Sequence, residues 1–493
     1  MEKALLSGKN MIQLNRPSLF KNSNFYSGEW RTFSKTIQVF DPATGDKIGE
    51  VPDLPREEVR KALEFAEKSQ KDWAKTIPKQ RARFLRNWAD LMIHNKEDLA
   101  KIMTWEQGKP LAESRGEIDY AASYLEWFSE EAKRAYGDLI PTHRKELRLM
   151  AWKEPVGVTG ILTPWNFPSS MITRKIGPAL AAGCVVISKP SELTPYSAIA
   201  LAVLAEEAGI PAGVFQIVTG QPEPIANEFL ENKIVRKISF TGSTRVGKIL
   251  LEKSANQVKR ISLELGGNAP FIVFADSNIK EAIRGGIISK FRNAGQTCVC
   301  TNRFLVEEKI AEEFAHGLAE EVSKFKVGNG FEEGVNIGPL IHSAAVKKVD
   351  SHLKDAIEKG GKLLIGGKPH SLGGNFYEPS VLSGISEKSL CFQEETFGPL
   401  APIKSFKTEE EALQIANASD VGLASYVYTN DPARIWRISE ALEAGMVSVN
   451  EGILSTEQVP FGGVKESGMG REGSKYGIEE YQEIKYICWG GQG

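Results

Sequence analysis

The chain has 493 residues, too many for one ordinary hydrophobic core, so the sequence predicts two or three domains or subdomains. Its 61 lysines and arginines nearly balance 63 aspartates and glutamates, for a formal net charge of -2, and 41% of its residues are hydrophobic. This composition excludes a disordered chain, and the balanced charge gives no basic surface of the kind that binds nucleic acid.

The sequence also argues against membrane and metal partners. The longest mostly apolar stretch, residues 177–187, is about half of the roughly 20 residues that span a bilayer. The N-terminal segment MEKALLSGKNMIQLNRP carries polar and basic residues where a signal peptide has an apolar core. Five cysteines are an odd number, typical of a reducing compartment, and the six histidines show no metal-binding spacing. We therefore expect a cytoplasmic protein without a metal site.

The first 55 residues predict irregular chain with short strands, in FYSGEWRTF and in the hairpin-like KTIQVFDPATGDKIGEV. From Arg56 to Tyr136, apolar residues recur at spacings of three and four, which predicts long amphipathic helices. From Val156 to Phe274, helical segments alternate with short apolar runs: VGVTGIL, CVVISKP, VFQIVTG, KISFTGS, RISLELGG and APFIVF. Uninterrupted apolar strands are buried on both faces, which indicates a doubly wound α/β sheet.

A second α/β region is predicted from Gly267 to Glu457, with strands in RFLVEE, KLLIGG, YEPSVL, APIKSF, SYVYT and MVSVN. After a glycine-rich loop, PFGGVKESGMGREGS, the tail YQEIKYICWG alternates apolar and polar residues. This alternation fits a strand added to another element or subunit, or a solvent-exposed edge. Two α/β regions predict a cleft between them, where ligands bind beyond the carboxyl ends of the strands.

Three motifs carry residues suited to covalent chemistry. In FRNAGQTCVC, a Gly-Gln pair interrupts a helical run just before Cys298 and predicts a loop thiol, which is either a nucleophile or a small core residue. In SLELGGN, Glu264 ends an apolar strand and is either a poorly hydrated general base or an exposed strand-end glutamate. In TPWNFP, two prolines fix the backbone around Asn166, whose amide either donates to an oxyanion or closes a tight turn.

Two further strand ends suit a nucleotide. In FTGSTRVG, Gly242 is followed by Ser243, a predicted N-cap, at a helix N-terminus that can receive a phosphate. The glycine spacing is neither G-x-G-x-x-G nor a Walker loop, so it does not establish a dinucleotide site by itself. In SKPSE, Lys189 and Glu192 can bond ribose hydroxyls, or they form a solvated charge pair.

Taken together and in this order, these motifs resemble the aldehyde dehydrogenase superfamily, from FYSGEW to FGGVKESGMGREGSKYGIEEY. Within it, ITRKIGPALAAG, KFRNAGQTCVCTNRF and EETFGPLAP look like the succinate-semialdehyde dehydrogenases. The resemblance implies an α/β fold with three parts and assembly as a homodimer or homotetramer. The parts are a doubly wound Rossmann-type cofactor domain (1–137 and 155–266), an α/β catalytic domain (267–457), and a small oligomerisation arm with a C-terminal strand (138–154 and 476–493).

The resemblance also implies roles for individual residues. Cys298 would attack an aldehyde, Asn166 and the Cys298 backbone N–H would hold the oxyanion, and hydride transfer would leave a thioester that Glu264 helps water to hydrolyse. The implied cofactor contacts are Trp165, Asn166, Lys189, Ser191, Glu192, Gly242, Ser243, Leu265, Glu395 and Phe397. A glutamate at position 192 matches NAD-using relatives, and like-charge contact disfavours a 2′-phosphate, so we expect NAD preference; Lys189 leaves room for NADP.

Arg174, Arg292 and Ser455 match residues that succinate-semialdehyde enzymes direct at the far carboxylate, which predicts a small acidic aldehyde as substrate. Alternatively, either arginine pairs with an internal carboxylate such as Glu113 or Glu117. Glutarate semialdehyde, one methylene longer, remains open, since one methylene discriminates by only about 1–3 kcal/mol. A cofactor-independent thiol esterase is the alternative from another enzyme class.

Cys300 lies two residues after Cys298. Some succinate-semialdehyde enzymes use this pair as a reversible disulfide switch. The alternative is that Cys300 is an unreactive packing residue.

Overall fold

A computed structural model describes residues 12–491 of the chain. The strands are β1 (Asn24–Tyr26), β2 (Glu29–Arg31), β3 (Thr36–Phe40), β4 (Lys47–Pro52), β5 (Asp138–Ile140), β6 (Arg148–Pro155), β7 (Thr159–Leu162), β8 (Val186–Lys189), β9 (Phe215–Ile217), β10 (Lys237–Thr241), β11 (Arg260–Glu264), β12 (Ala269–Val273), β13 (Thr301–Glu307), β14 (Lys362–Ile365), β15 (Ser380–Ser383), β16 (Leu400–Phe406), β17 (Val421–Gly422), β18 (Ala424–Tyr428), β19 (Met446–Val449), β20 (Val464–Lys465), β21 (Gly468–Met469) and β22 (Gln482–Trp489).

The α-helices are α1 (Arg56–Lys75), α2 (Pro78–His94), α3 (Lys96–Gln107), α4 (Leu111–Glu131), α5 (Ser170–Ala182), α6 (Pro195–Glu207), α7 (Pro222–Glu231), α8 (Thr244–Ser254), α9 (Ile279–Phe291), α10 (Ala311–Ser323), α11 (Ser343–Glu358), α12 (Leu390–Gln393), α13 (Glu409–Asn417), α14 (Pro432–Ala441) and α15 (Tyr476–Glu479). The amphipathic segment from Arg56 therefore forms α1 to α4, and the KTIQVF hairpin forms β3 and β4.

The first large sheet has six strands in the order β21-β11-β10-β7-β8-β9. All neighbouring strands are parallel except β21, which runs antiparallel to β11. The central strands of this sheet are buried throughout, which indicates that helices cover both of its faces. The carboxyl ends of β7, β8, β10 and β11 meet at one edge, where the sequence places the motifs TPWNFP, SKPSE, FTGST and ELGGN.

The second large sheet has seven strands in the order β14-β15-β16-β13-β12-β18-β19. The run APFIVF is β12 and lies in the middle of this sheet, between β13 and β18. Grouping it with the strands of the first region was therefore wrong. An apolar run shows that a strand is buried on both faces, but not which sheet buries it.

The third sheet consists of β22, β6 and β5, with β22 antiparallel to β6 along its whole length. The tail thus pairs with a strand of its own chain. Residues 476–481, placed by the sequence with the C-terminal strand, instead form α15 and its end, and Ile478 and Tyr481 are buried in the core around the first sheet. Residues 492–493 of the predicted strand and residues 1–11 of the predicted cofactor domain lie outside the described residues.

The glycine-rich segment after the second sheet returns to the first, because β21 pairs with the end of β11. Leu263 lies opposite Met469, and Glu264 lies opposite Gly468. This return places residues from both regions beside Glu264. Within residues 12–491, no helix combines the length and apolar composition that crossing a bilayer requires.

Candidate active site

Cys298 lies on a tight turn that follows α9 and a short 3-10 segment, Arg292–Gly295. The turn requires glycine at position 295, where φ is 75° and a Cβ would lie 2.2 Å from the carbonyl oxygen of Gly398. The Cys298 side chain is half-buried and faces a cavity. Burial raises the pKa of the Cys298 thiol to about 12, against the opposing charge of Arg174, so attack by this thiol needs a proton acceptor.

Glu264 supplies a buried carboxyl group at the end of β11. Burial raises its pKa well above the usual value, the charge of Glu472 adds to this, and its Oε2 has no hydrogen-bond partner among the described residues. The loop after Glu264 touches the nucleophile turn: a Cβ on Gly267 would lie 2.6 Å from the carbonyl oxygen of Cys298. The site therefore places a poorly hydrated carboxyl group near the thiol, and the predicted roles of these two residues stay predictions.

Glu472, from the segment that returns to the first sheet, lies between two buried cations. It forms ion pairs with Arg174 and with Lys175, both on α5. Although burial opposes the shift, these two cations lower the pKa of Glu472. Glu472 stays ionised and its negative charge disfavours ionisation of Glu264.

The side-chain amide of Asn166 lies where it can donate a hydrogen bond to an oxyanion. Its side-chain Nδ2 donates to the carbonyl oxygen of Gln296 at 3.0 Å, two residues before Cys298, and the other N–H of the amide has no partner among residues 12–491. The backbone N–H of Cys298 likewise makes no hydrogen bond to the described part of the chain. Two uncommitted donors beside the thiol suit an oxygen that gains negative charge.

Two adjoining cavities, of about 470 and about 650 Å³, run along the carboxyl edge of the first sheet. They share the side chains or backbone of Pro164, Trp165, Thr241, Gly242 and Ser243. Every residue predicted to contact the cofactor lines one of them. The first cavity is lined by Asn166, Leu265, Cys298, Glu395 and Phe397, and the second by Lys189, Ser191 and Glu192.

The groove offers polar groups that suit a dinucleotide. Ser243 caps α8, as predicted, and accepts the Val246 N–H at 3.4 Å, so the helix N-terminus opens onto the shared part of the groove. The hydroxyls of Thr163 and Thr241 are buried without a partner in the described chain. Glu395, at the other end, accepts the Gly267 N–H at 3.2 Å, and burial raises its pKa to about 7.

In the second cavity, Lys189 and Glu192 form an ion pair with 2.7 Å between Nζ and Oε2. Lys189 is almost fully buried, which lowers its pKa, whereas Glu192 is about one-third exposed. The two side chains therefore hold each other at the wall of the cavity.

The two predicted substrate arginines differ in their surroundings. Arg292 is half-buried, its guanidinium lies 5.3 Å from the ring centroid of Phe167, and it forms no ion pair with any described residue. Arg174 stacks on Phe461 at 4.3 Å and pairs with Glu472, so an internal carboxylate does hold it, but not Glu113 or Glu117. Ser455 is half-buried and forms no hydrogen bond within residues 12–491.

The aldehyde dehydrogenase family matches residues 30–487 of the chain. This chain is an aldehyde dehydrogenase by family. The predicted family and fold are confirmed, and with them an oxidoreductase activity. The chain is 54% identical to a glutarate-semialdehyde dehydrogenase of Pseudomonas aeruginosa over 97% of its own length and 100% of the relative's. It is 52% identical to an NADP(+) succinate-semialdehyde dehydrogenase of Escherichia coli over 97% and 100%. A solved succinate-semialdehyde dehydrogenase of Burkholderia pseudomallei superposes with a TM-score of 0.96 at 54% identity, over 97% and 100%.

Four polar residues of this aldehyde dehydrogenase's site have contacts that were not predicted from the sequence, although Glu117 was named there as an alternative partner of an arginine. Glu472 pairs with the α5 cations, whereas Lys109, Glu117 and Asn293 hold the loop that carries Asn166. Glu472 could have been noticed because it is a charged residue inside the glycine-rich segment. The other three stand in helical or turn sequence with no local signal.

Cys300 is buried in this dehydrogenase, and its Sγ donates to the carbonyl oxygen of Gly295 at 3.2 Å. Burial raises its pKa, while the ammonium of Lys290, 3.8 Å from Sγ, opposes that shift. All five cysteines are free thiols in the structure.

Proposed function

We propose that this aldehyde dehydrogenase oxidises succinate semialdehyde to succinate with NAD(P). The observation that carries the proposal is the guanidinium of Arg292, a half-buried cation without a carboxylate partner in the described chain. An unpaired cation in a partly dry site is stabilised when an anion joins it, so it favours an aldehyde with a distal carboxylate. The likeness to two succinate-semialdehyde dehydrogenases supports the same substrate.

Within this proposal the chain's own groups carry the acid-base steps. Glu264 accepts a proton as the Cys298 thiol attacks the aldehyde carbon, because the thiol does not ionise by itself at neutral pH. Asn166 Nδ2 and the Cys298 N–H hold the oxyanion. When bound, a nicotinamide cofactor would supply the hydride acceptor, and Glu395, which lines the first cavity, would hold its ribose. After releasing that first proton to solvent, Glu264 accepts a proton from the water that hydrolyses the thioester and returns it to the departing Cys298 thiolate, which releases the acid and the thiol.

NAD preference rests on Glu192. A 2′-phosphate beside this carboxylate meets a like charge, and the charge of Lys189 is already paired with Glu192. A ribose 2′-hydroxyl instead donates to Glu192 and leaves the pair intact. The Escherichia coli relative is an NADP(+) enzyme, so we propose NAD as preferred and NADP as usable.

Glutarate semialdehyde is the second candidate substrate, since the Pseudomonas aeruginosa relative is a glutarate-semialdehyde dehydrogenase. The deciding experiment measures NADH and NADPH formation from succinate semialdehyde, glutarate semialdehyde and butanal. We expect the highest kcat/KM with succinate semialdehyde and NAD, and a much lower value with butanal. Equal kcat/KM for the acidic and neutral aldehydes would refute the acidic-substrate proposal.

We propose further that the third sheet joins subunits into a dimer or tetramer in the cytoplasm. Its strands expose large apolar side chains: Leu139 is 83% exposed and Ile484 is 73% exposed. Apolar strands left open to water mark interaction surfaces. Light scattering should give a mass above one chain, and Ile484→Glu should lower it; a monomeric wild type would refute this assembly.

A further inference from the structure

The buried residue Lys109 lies in the turn between α3 and α4, behind the loop that carries Asn166. Its ammonium is inaccessible to solvent, pairs with Glu117 of α4 at 2.6 Å, and donates to the backbone carbonyl oxygen of Asn166 at 2.7 Å. It also lies 4.0 Å from the ring centroid of Phe167. A lysine in such a place has lost its hydration, so the contacts that replace water fix its position closely.

Glu117 holds the other end of the same loop. Its Oε1 accepts the backbone N–H groups of Ser169 at 3.0 Å and Ser170 at 3.1 Å, at the start of α5. The ion pair therefore grips the loop on both sides: the ammonium holds the carbonyl of residue 166, and the carboxylate holds the N–H groups after it. Isolated buried ion pairs add little net stability compared with apolar side chains, so stability alone does not account for this pair.

The same turn also reaches the nucleophile segment. Gln107 accepts the Lys109 backbone N–H at 3.0 Å and donates to Oδ1 of Asn293 at 2.9 Å. Asn293 in turn donates to the Asn166 carbonyl oxygen at 3.0 Å. The carbonyl of Asn166 thus receives two donors from behind, while its side-chain amide faces Gln296 and the cysteine turn.

We propose that Lys109 is a positioning residue for the oxyanion donor: its bond to the Asn166 carbonyl sets where the Asn166 side-chain amide lies relative to Cys298. This rests on the proposed role of Asn166. Lys109 touches no reacting atom, so its whole effect on the reaction passes through Asn166. Misplacing a catalytic group by about 1 Å can cost about 100-fold in rate.

The test is a double-mutant cycle between Lys109 and Asn166 with butanal as substrate. Lys109→Met is combined with Glu117→Gln, so that no unpaired carboxylate stays buried and the new side-chain amide can still accept from the start of α5. Glu117→Gln alone is the matched control, because it keeps the Lys109 donor. We expect the Lys109→Met/Glu117→Gln variant to lose about 10- to 100-fold in kcat relative to Glu117→Gln, with KM for NAD unchanged.

In the Asn166→Ala background, removing the Lys109 donor should change kcat less than about twofold, because the group it positions is absent. An equal loss in both backgrounds would overturn the positioning role, since a general structural defect acts in either. If Asn166→Ala itself leaves kcat unchanged, the proposed oxyanion role fails instead, so the two failures are distinguishable.

Two additional measurements complete the test. A kcat loss with succinate semialdehyde but none with butanal would mean that Lys109 acts on the substrate charge near Arg292, and would refute positioning. If the Lys109→Met/Glu117→Gln variant does not fold, Lys109→Arg keeps the ion pair but replaces the compact donor by a planar fork. Lys109→Arg should then lower kcat in the wild-type background and not in Asn166→Ala; unchanged kcat in both would refute the proposal.

Discussion

Replacing Arg292 by methionine should lower kcat/KM for acidic aldehydes much more than for neutral aldehydes. Methionine retains much of the apolar stem against Phe167 but removes the guanidinium, which forms no ion pair with a described carboxylate and whose charge acts on Glu113 only at longer range. The ring contact itself is worth only about 0.5–1 kcal/mol at a half-exposed site, so the fold should tolerate the change. The main effect of the substitution should therefore be a weaker interaction with the substrate carboxylate.

The magnitude follows from the surroundings of the guanidinium. Two unit charges about 4 Å apart interact by about 4 kcal/mol at an effective dielectric constant of about 20, the value for pairs near a protein surface. Because Arg292 is half-buried, water compensates for part of this interaction energy. We expect Arg292→Met to lose about 2–4 kcal/mol of net interaction with the substrate carboxylate. At about 1.4 kcal/mol for each factor of ten, kcat/KM for succinate semialdehyde should fall about 30- to 700-fold.

The assay is steady-state NADH formation with succinate semialdehyde and with butanal, for the wild type, Arg292→Met and Arg284→Met. Arg284 is a matched control on α9, because it is an exposed arginine whose one ion pair among residues 12–491 is with Glu281 at 2.6 Å. For butanal, Arg292→Met should change kcat/KM less than about threefold, and Arg284→Met should behave as wild type with both. An equal loss of kcat/KM on the two aldehydes would refute the reasoning.

Four other changes test the rest of the site. Glu192→Ser should raise the ratio of kcat/KM for NADP over NAD at least about tenfold, since it removes a like charge from the 2′-phosphate; an unchanged ratio contradicts the proposed preference. Burial and the charge of Glu472 raise the pKa of Glu264, so its basic form becomes populated only as the pH rises through that raised value, and wild-type kcat should increase with it. Glu264→Gln should lower kcat at least about 100-fold and abolish this pH dependence. A wild-type kcat that does not change with pH would argue against Glu264 as the base. Gly267→Ala should lower kcat about 100-fold because its Cβ meets the carbonyl oxygen of Cys298, the proposed nucleophile, at 2.6 Å, whereas Gly116→Ala, with open space around it, should not. Peroxide inactivation should be reversed by dithiothreitol in the wild type and not in Cys300→Ala; identical behaviour would exclude the disulfide switch.

Several parts of the fold and site were predictable because their signals are local. Buried parallel strands have continuous apolar runs, and the residues at their carboxyl ends share one edge, so Asn166, Lys189 and the Gly242 turn could be assigned to one groove. The turn before Cys298 was also predictable, because Gly295 readily adopts the positive φ that this turn requires. In each case the informative residues lie within a few positions of one another.

The tertiary structure alone decided which charges meet. Lys175 and Glu472 are 297 residues apart in the chain, and no local pattern foretells that the glycine-rich segment brings them together beside Glu264. It is likewise packing that gives Arg174 an internal carboxylate and leaves Arg292 without one in the described chain. Sequence periodicity reports the neighbours of a residue along its own element, whereas the pairing and pKa of a buried charge depend on whichever distant segment excludes water from it.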